Sequence, residues 1–509
     1  MKELFFYFFG YVVFFYSMAL ILSYLVMIVL AWAATRRHVG VSYDPYAPKL
    51  FAESPYTPGV SIIAGAYNEE NVIVDSIESF LRQDYPKLEV VIVNDGSTDK
   101  TLERMIEHFA LEEQTSDYVE RIRTRPYRRT FRSRLEKYRQ LTVVDKENGG
   151  TKADAINAGL NVAKYPWFIN TDIDCVLSRD AVMKCVSAAI GQSGVIAVSG
   201  AMAMNNGCRI EEGEILERHV PHTPSPLFQA VEYLRSFVVG KMAWGRINAM
   251  PNVSGGYGLF NTEVCINAGG YDGSSFAEDM DMLIRMIRYC CDNGRDYRVL
   301  QIPETCCWTQ GPPNIRQLYK QRTRWGRGLI ETLSVHSGMI FNKRYRRLGL
   351  ITLPYVTVFE FLAPVIEACG FVLFLYLALT GGVNWVGAAV ISLSIFCFNY
   401  MLSSAVFFLD YCNGVTYGKR RSYLWLMAAS LLEPILYHPL IVLFSLKGYA
   451  DFLRQSRAKW GEMKRKRYSS QDSGEGAAYM ETQGGEGVSP EVDAAGQVAS
   501  QTINRAEYE

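Results

Sequence analysis

The chain has 509 residues and equal numbers of basic and acidic residues, 52 of each, so its formal net charge is zero. A balanced charge gives no general attraction to phosphates, and we expect no nucleic-acid partner. The eleven cysteines follow no metal-binding spacing, since Cys290-Cys291 and Cys306-Cys307 are adjacent pairs. We therefore expect reduced thiols in a cytosolic compartment.

The N-terminal segment carries no charged residue over residues 4–35. About 20 apolar residues span a bilayer, so this run is long enough for a membrane helix. A cleaved signal peptide is the alternative, but the run is too long and no positive cluster precedes it. We expect a retained transmembrane helix in residues 1–35. Arg36, Arg37 and His38 follow it, which predicts that the next part of the chain is cytoplasmic.

After a linker at residues 36–58, apolar strand patterns alternate with helical patterns. This alternation predicts an α/β domain at residues 59–345, with a mostly parallel sheet between helices. Ligands of such sheets bind beyond the carboxyl ends of the strands. Polar clusters follow the predicted strands at residues 67–70, 94–99, 149–152 and 172–174. We expect these clusters to form one site.

Two carboxylates, Asp172 and Asp174, close the predicted strand 167–174. Residues two apart on a strand point to the same side, so we expect the two side chains to converge. Converging carboxylates repel each other unless a cation lies between them. A divalent ion that also binds substrate phosphates satisfies this requirement. The alternative is a strand-end turn without a function.

Two further segments of the predicted domain allow two interpretations each. Residues 121–139 are rich in arginine with few aromatic residues between them, which favours a solvated loop near anionic headgroups over a nucleic-acid surface. Residues 227–244 are apolar over a wide arc, with Glu232, Arg235 and Lys241 on the remainder. This pattern predicts either a helix in the membrane interface or a core helix.

The C-terminal half contains three apolar runs, at residues 348–380, 384–409 and 423–446, within a predicted transmembrane region at residues 346–453. Basic clusters at residues 344–347 and 419–421 predict cytoplasmic ends for the first two runs. The third run should therefore break near Pro434 or Pro439 and return to the cytoplasm. Glu360 and Glu367 lie within the first run, where we expect them to border a channel or to pair between helices.

The last segment, residues 454–509, begins with basic residues and continues as a polar, acidic stretch rich in glycine and serine. Such a composition cannot bury enough apolar surface to fold, so we expect a disordered tail.

The motifs occur in an order that resembles the membrane-embedded, processive glycosyltransferases of family 2. This group includes cellulose, chitin, hyaluronan and poly-N-acetylglucosamine synthases, and the resemblance covers residues 59–467. The motifs that carry it are Asp95 in Asn-Asp-Gly-Ser, Lys152 in Gly-Gly-Thr-Lys, Asp172 with Asp174, Glu278 with Asp279, and Gln321 with Arg324 and Trp325. Trp460 with Lys464 and Arg465 is similar to a basic motif near the end of several such chains.

The resemblance implies a nucleotide-sugar-binding, GT-A-like fold flanked by transmembrane helices, and it implies a role for each motif. Tyr67, Glu69, Asp95 and Lys152 would bind the nucleotide donor. Asp172 and Asp174 would hold the diphosphate through Mg²⁺ or Mn²⁺. Asp279 would be the general base, with the proton affinity of the site raised by its neighbour Glu278. Gln321, Arg324 and Trp325 would contact the acceptor and the diphosphate.

The implied function is an inverting transfer from a UDP-sugar that extends a β-linked polysaccharide and is coupled to export. A non-processive transfer of one sugar to a lipid-linked acceptor is the second interpretation, and a catalytically inactive scaffold is the third. The expected partners are the UDP-sugar, the growing glycan or lipid acceptor, membrane lipids and an accessory export or regulatory subunit. The expected location is the plasma (inner) membrane with a cytoplasmic catalytic domain. The identity of the sugar is not legible in the sequence.

Overall fold

The computed structural model describes residues 2–39, 51–114, 118–211 and 213–454. The strands in these ranges are β1 Val60–Ala66, β2 Leu88–Asp95, β3 Leu111–Gln114, β4 Tyr127–Ser133, β5 Leu141–Lys146, β6 Trp167–Thr171, β7 Val176–Leu177, β8 Val195–Met204, β9 Arg209–Glu211, β10 Glu214–Glu217, β11 Tyr257–Asn261 and β12 Arg298–Thr309. The helices are α1 Lys2–Val39, α2 Ile73–Leu81, α3 Thr101–Phe109, α4 Lys152–Val162, α5 Ala181–Ile190, α6 Pro224–Leu234, α7 Met242–Arg246, α8 Thr262–Asn267, α9 Glu278–Asp292, α10 Ile315–Val335, α11 Leu348–Leu379, α12 Trp385–Cys412, α13 Arg420–Leu436 and α14 His438–Leu453.

The sheet has the strand order β3-β4-β5-β2-β1-β6-β11-β8-β12-β7. Strands β5, β2, β1 and β6 are parallel neighbours, as are β8 and β12. Strand β11 lies antiparallel between β6 and β8, and antiparallel strands also close both edges. The predicted α/β sheet domain is therefore confirmed, with a mixed sheet that contains the parallel block β5-β2-β1-β6.

The central strands form because their residues suit a position between two helical layers. Every residue of β2 is buried, and its run Val-Val-Ile-Val is β-branched. The register pairs Ala66 with Asn94 and Asp95 with Lys146, so the carboxyl ends of β1, β2 and β5 lie side by side. The polar clusters that follow these strands are consequently brought to one edge of the sheet.

The arginine-rich insert at residues 121–139 is not the loop that its composition predicted. Strand β4 within it pairs antiparallel with β5, so that Arg129 lies opposite Asp145, and Arg129 Nε is 3.3 Å from an Asp145 carboxylate oxygen. Phe131 is buried on one side of this strand, while its first residues are exposed. Exposed charge near the edge of a sheet disfavours pairing with other chains, which accounts for arginines in a strand.

Helix α6 continues through a π-helical turn, Arg235–Lys241, into α7, so the predicted helix over residues 227–244 is present. Its charged residues contact protein groups. Glu232 binds Arg322, Arg235 lies 2.5 Å from Glu433, and Lys241 is buried. These contacts are those expected of a core helix, the second of the two interpretations.

Three helical segments are long and apolar enough to cross a membrane, namely Gly10–Arg36, Leu348–Leu379 and Trp385–Cys412. Their apolar side chains include exposed ones such as Phe15, Val372 and Leu393, as lipid contact requires. Helices α13 and α14 form a further apolar pair that is bent by 52° at Tyr437, and counting it as one span gives four. The predicted break in the third C-terminal run is therefore confirmed, next to Pro439 rather than at Pro434, which lies inside α13.

Two predicted segments lie partly outside the described residues. One is the linker, of which residues 40–50 are not described. The other is the C-terminal segment, of which residues 455–509 are not described; these include Trp460, Lys464 and Arg465 of the basic motif and the predicted disordered tail.

Candidate active site

A cavity of about 1610 Å³ opens beyond the carboxyl ends of the central strands. The structure brings every predicted site residue to its wall: Tyr67, Glu69, Asp95, Lys152, Asp172, Asp174, Glu278, Asp279, Gln321, Arg324 and Trp325. Their individual roles stay predictions, but their grouping in one cavity agrees with a single site.

The loop after β1 is fixed by the loop after β2. The backbone N–H of Asn68 donates to Ser97 Oγ at 3.1 Å, and Asn68 Oδ1 accepts from the Thr98 N–H at 2.8 Å. The N–H of Glu69 donates to Thr101 Oγ1 at 2.9 Å. Asn68 has a φ of 56°, a left-handed conformation that asparagine tolerates better than most residues. Tyr67 and Glu69 are thus held at the cavity wall by a cross-linked pair of loops.

Asp95, at the end of β2, has its carboxylate held by a buried lysine. Lys146 Nζ lies 2.6 Å from Asp95 Oδ1 and 2.5 Å from Asp154 Oδ2, and the Gly149 N–H donates to the same Asp95 oxygen at 3.0 Å. Burial raises the pKa of Asp95, although the Lys146 hydrogen bond opposes this. Lys146 was not among the predicted site residues, and it lies opposite Asp95 in the β2–β5 register.

Asp172 and Asp174 converge, but not for the reason that the sequence suggested. Strand β6 ends at Thr171, so the two residues do not alternate along a strand. They lie in a turn that the Cys175 N–H closes by donating to the Asp172 carbonyl at 3.1 Å. Ligand atoms of Asp172, Asp174 and Cys175 all lie within 4.8 Å of one another. The two carboxylates therefore converge because a tight turn brings them together, and not because they alternate along a strand.

This acidic turn fits a divalent cation. Two carboxylates offer the hard oxygen ligands that Mg²⁺ and Mn²⁺ prefer, and Asp174 is buried, so its charge is poorly solvated by water. Asp172 is more exposed to the cavity and leaves room for substrate oxygens beside it. These residues would hold the ion, and the ion would supply positive charge for a diphosphate.

Lys152 is the first residue of helix α4, and it contacts both the acidic turn and Gly255, the residue that binds Asp279. Its Nζ donates to Asp172 Oδ1 and to the Gly255 carbonyl, each at 2.5 Å. Burial opposes the charge of this lysine, but the carboxylates of Asp172 and Glu278 outweigh burial and raise its pKa. The ammonium group therefore stays charged beside the acidic turn.

Asp279 lies in the first turn of α9 and is oriented by two backbone groups. Its Oδ2 accepts from the Gly255 N–H at 2.9 Å, and its Oδ1 accepts from the Met280 N–H at 2.8 Å. A carboxylate has about four acceptor positions, so each oxygen keeps capacity for another hydrogen bond. The segment just before β11 thus supplies one of the groups that align the predicted base.

Glu278 is buried beside Asp279. Burial, and secondly the negative charge of Asp279, raises the pKa of Glu278 to about 7. Arg324 and Lys152 oppose this shift, which places both cations near the carboxyl group. A carboxyl group that titrates near neutral pH beside a candidate base is suited to proton transfer.

Helix α10 brings the Gln-x-x-Arg-Trp motif to the same cavity. Asn314 caps this helix by accepting from the Gln317 N–H at 3.0 Å. Gln321 Oε1 accepts from Gln229 Nε2 at 3.1 Å, and Trp325 lines the cavity with 36% of its surface exposed. An indole at a cavity wall provides a flat apolar face for a sugar ring.

Two further charged residues of the cavity, Lys241 and Arg322, were not among the predicted site residues. Lys241 was expected on the polar side of an interfacial or core helix, but it is buried, with Nζ 4.6 Å from the centre of the Phe237 ring. Burial lowers the pKa of Lys241 to about 8, although the charge of Asp279 opposes this. The π-turn Arg235–Lys241 changes the angular spacing of side chains, which a 3.6-residue pattern cannot anticipate.

The cavity continues from the site towards the apolar C-terminal helices. Its wall includes Glu360 of α11 and Ile441, Ser445 and Tyr449 of α14. Glu367, which was expected to share a role with Glu360, instead lies 2.7 Å from His438 Nε2. Each of the two interpretations therefore applies to one glutamate. Glu360 borders the cavity, and Glu367 forms an interhelical pair.

Two family profiles match the chain. That of Glycosyl transferase family 2 matches residues 61–250, and that of Glycosyl transferase family group 2 matches residues 167–412. The matches overlap over the acidic turn and together include the sheet edge, the motif helix and the apolar helices α11 and α12.

Known relatives include two proteins named poly-beta-1,6-N-acetyl-D-glucosamine synthase. That of Staphylococcus epidermidis is 25% identical over 295 residues, covering 58% of this chain and 60% of the relative. That of Staphylococcus aureus strain MSSA476 is 24% identical over 275 residues, covering 54% and 55%. The chain thus matches less than two thirds of the length of these relatives.

Among solved structures, a mannosyltransferase from Pyrobaculum calidifontis in complex with GDP-Man and Mn²⁺ is similar over 84% of this chain and 99% of its own. The sequence identity is 20% and the TM-score is 0.44.

The two profiles extend over the regions in which the sequence motifs lie, and the relatives named above are polysaccharide synthases. As the order of the motifs predicted, residues 61–412 of the chain match family 2 glycosyltransferases, and the chain resembles their membrane-associated polysaccharide synthases.

Proposed function

We propose that this protein is an inverting glycosyltransferase that uses a UDP-sugar to extend a β-linked polysaccharide, coupled to export through its own apolar helices. One observation carries the proposal. The cavity that contains the acidic turn also contains Trp325, and it continues to Glu360 and Tyr449 of the apolar helices. Donor, acceptor and exit would then share one continuous space.

The donor would bind at the edge of the parallel strands. Tyr67, Glu69 and Asp95 would contact the nucleoside, because they lie on the loops that cross-link the ends of β1 and β2. Lys152 and Arg324 would place positive charge near the diphosphate, and Asp172 with Asp174 would hold a divalent cation there. Positive charge at this point stabilises the departing UDP as its negative charge develops.

The transfer itself needs one base. The acceptor hydroxyl oxygen would form a bond to the anomeric carbon while the bond from that carbon to the UDP phosphate oxygen breaks. Asp279 would accept the hydroxyl proton, so the products are the extended glycan, UDP and a protonated Asp279. The two backbone hydrogen bonds to Asp279 would fix its carboxylate in the direction of the acceptor. A single displacement inverts the configuration at the anomeric carbon.

The acceptor would lie against Trp325. A glycan that grows by repeated addition must be held while UDP leaves, yet it must slide by one sugar. An aromatic face supports sliding because it packs on a sugar ring without a fixed set of hydrogen bonds, while the indole N–H can still meet a hydroxyl group. This requirement favours a polysaccharide over a single transfer to lipid, which would need no sliding.

The names of the relatives suggest the sugar. Both are poly-beta-1,6-N-acetyl-D-glucosamine synthases, so we propose N-acetylglucosamine as the first candidate for the transferred sugar. We further propose that residues 59–345 form a cytoplasmic catalytic domain at the plasma (inner) membrane. Residues 346–453 would form the membrane region, and an accessory subunit would complete export.

The decisive experiment supplies radiolabelled UDP-sugars to membranes that contain the full-length chain. UDP-N-acetylglucosamine, UDP-glucose and UDP-glucuronate would be compared, with D279N as the matched inactive control. A labelled polymer that a β-specific glycosidase degrades would support the proposal. A single labelled sugar in the lipid extract would favour transfer to lipid instead, and no incorporation from any donor would refute both.

A further inference from the structure

Arg322, inside the Gln-x-x-Arg-Trp motif, is a buried cation with a fixed set of partners. It is 5% exposed, and it donates to both carboxylate oxygens of Glu232, from Nη1 at 2.6 Å and from Nη2 at 2.5 Å. A bidentate pair of this kind fixes the plane of the guanidinium group as well as its position. A buried arginine without such a partner is strongly destabilising, so the conformation of Arg322 depends on Glu232.

Tyr437 closes the arrangement from the membrane helices. Its hydroxyl accepts from Arg322 Nη2 at 3.0 Å and donates to Glu232 Oε2 at 3.0 Å. Tyr437 lies at the bend between α13 and α14, and its ring packs on Phe228 of α6 with ring centres 5.3 Å apart. The three polar side chains thus join α6, α10 and the bent helix pair.

The guanidinium group also contacts Trp325. Arg322 Cζ lies 4.4 Å from the centre of the Trp325 ring, within the range of a cation–π interaction, and the two residues are three apart on α10. Trp325 is partly exposed to the cavity, so protein covers a part of its surface. The guanidinium group of Arg322 is therefore one of the protein groups that cover the indole ring.

The surrounding helices cannot easily shift to relax this constraint. A Cβ on Gly326 would lie 2.8 Å from the Ser445 carbonyl oxygen, and a Cβ on Gly448 would lie 2.4 Å from that of Thr323. Helices α10 and α14 hence pack backbone against backbone directly beside the motif. On the other side, Gln229 binds Gln321 from α6 one turn before Glu232.

We propose that Glu232 and Tyr437 are positioning residues that act through Arg322 to hold the Trp325 ring in one orientation for the acceptor sugar. This inference rests on the proposed function of Trp325 as the acceptor surface. It places the control of acceptor binding in three side chains, one each from α6, α10 and the bend between α13 and α14.

The first test does not depend on activity. The full-length chain would be labelled with 5-fluorotryptophan, and the Trp325 fluorine resonance would be identified among those of the eight tryptophans by its loss in W325F. Y437F removes one hydroxyl and keeps the ring, so the fold should survive, and the Trp325 resonance should shift and broaden. Y423F is the matched control, because the Tyr423 hydroxyl also donates to a carboxylate, Asp410, at 2.6 Å. An unchanged Trp325 resonance in Y437F, or an equal change in Y423F, would overturn the inference.

The second test links orientation to acceptor binding. With UDP-N-acetylglucosamine as donor and an N-acetylglucosamine oligosaccharide as acceptor, Y437F should raise the acceptor KM about fivefold, the effect of one lost hydrogen bond. Hydrolysis of the donor by water should stay unchanged. In a W325A background, Y437F should have no further effect, since its influence passes through the indole. A KM effect that persists without Trp325 would contradict the inference. A wild-type chain without any transfer would refute the proposed function, while the fluorine spectra would still decide this inference.

Discussion

The ammonium group of Lys152 lies 2.5 Å from a carboxylate oxygen of Asp172 in the acidic turn. Gly255 holds the same ammonium group from the other side, by accepting a hydrogen bond at 2.5 Å. A divalent cation bound by Asp172 and Asp174 would thus share the charge of Asp172 with a lysine. The two cations would differ in one respect, because the lysine is attached to the fold whereas an ion held by Asp172 and Asp174 would be exchangeable.

The first prediction follows from this shared charge. K152Q should bind Mn²⁺ more tightly, by about tenfold, because a neighbouring positive charge is removed from the ion's surroundings. Transfer should nevertheless fall by about 10²-fold, because a cation that stabilises the departing diphosphate is lost. Mn²⁺ binding would be followed by electron paramagnetic resonance and transfer by radiolabel incorporation.

The control for K152Q is K184Q, since Lys184 also pairs with an aspartate, Asp180, at 2.7 Å. K184Q should change neither quantity. Weaker Mn²⁺ binding in K152Q would show that Lys152 supports the metal site and does not compete with it. Full transfer in excess EDTA would rule out a metal ion in the reaction.

The second prediction concerns the pH dependence of transfer on its acidic side. The pKa of Glu278 is raised to about 7, so the carboxyl group is protonated below that pH and ionised above it. Ionised Glu278 adds negative charge beside Asp279, at the position where the proton of the acceptor hydroxyl would be taken up. The kcat should therefore rise as the pH increases through about 7.

E278Q tests this assignment because glutamine resembles the protonated acid at every pH. Its kcat should stay near the low-pH value of the wild type, without a step near pH 7. A step that persists in E278Q would assign the titration to another group. The measurement is kcat at saturating donor between pH 5.5 and 9.

A third prediction concerns the alkaline side. The pKa of Lys241 is lowered to about 8 by burial, so its amine loses the proton as the pH rises through 8. Lys241 and Asp279 line the same cavity, and the positive charge of Lys241 would stabilise the negative charge that develops on the departing UDP. Transfer should consequently fall above pH 8 in the wild type. In K241R the fall should disappear, because arginine keeps its charge, whereas K241M should be slow at all pH values. An unchanged alkaline fall in K241R would refute the assignment.

The sequence predicted the central strands and the grouping of their polar ends because those features are local. Apolar runs such as residues 88–93 indicate buried strands directly, and a parallel arrangement sends Asp95 and Asp172 to one edge. The Gln-x-x-Arg-Trp motif could be recognised in the sequence because its residues are also close together in the chain. The antiparallel strand β11 between β6 and β8 was not, since its pairing joins segments far apart in the chain.

The partners of the buried charges could not be predicted for a related reason. Arg322 was visible in the motif, but Glu232 lies 90 residues earlier and Tyr437 lies 115 residues later. No periodicity connects such positions. Lys241 was assigned to a polar face because the pattern assumed an α-helix, whereas a π-turn changes the angle at which that residue leaves the backbone.

The fourth prediction separates two glutamates that looked equivalent in the sequence. Glu360 borders the cavity, whereas Glu367 is held by His438 at 2.7 Å. E360Q should slow the release of polymer across the membrane by several fold and leave the first glycosyl transfer nearly unchanged. E367Q is the matched control, and it should affect both steps equally if it affects either. Equal loss of both steps in E360Q would remove Glu360 from the export path.

The last prediction concerns the topology of the bent pair α13 and α14. The two helices meet at Tyr437 with a bend of 52°, as a broken span or as a re-entrant loop. Basic residues at positions 419–421 lie at the start of the pair, and Arg454 follows its end. Since positive charge favours the cytoplasm at both ends, we expect a re-entrant pair that returns to the side from which it entered.

Cysteine labelling in intact cells decides between these topologies. The exposed Cys369, Cys397 and Cys412 would first be replaced by serine, because they would react with the reagent. R454C should then resist a membrane-impermeant maleimide until the cells are permeabilised. G382C, in the connection between α11 and α12, is the control and should react from outside. Reaction of R454C in intact cells would mean that the pair crosses the membrane as one bent span, with its basic end outside.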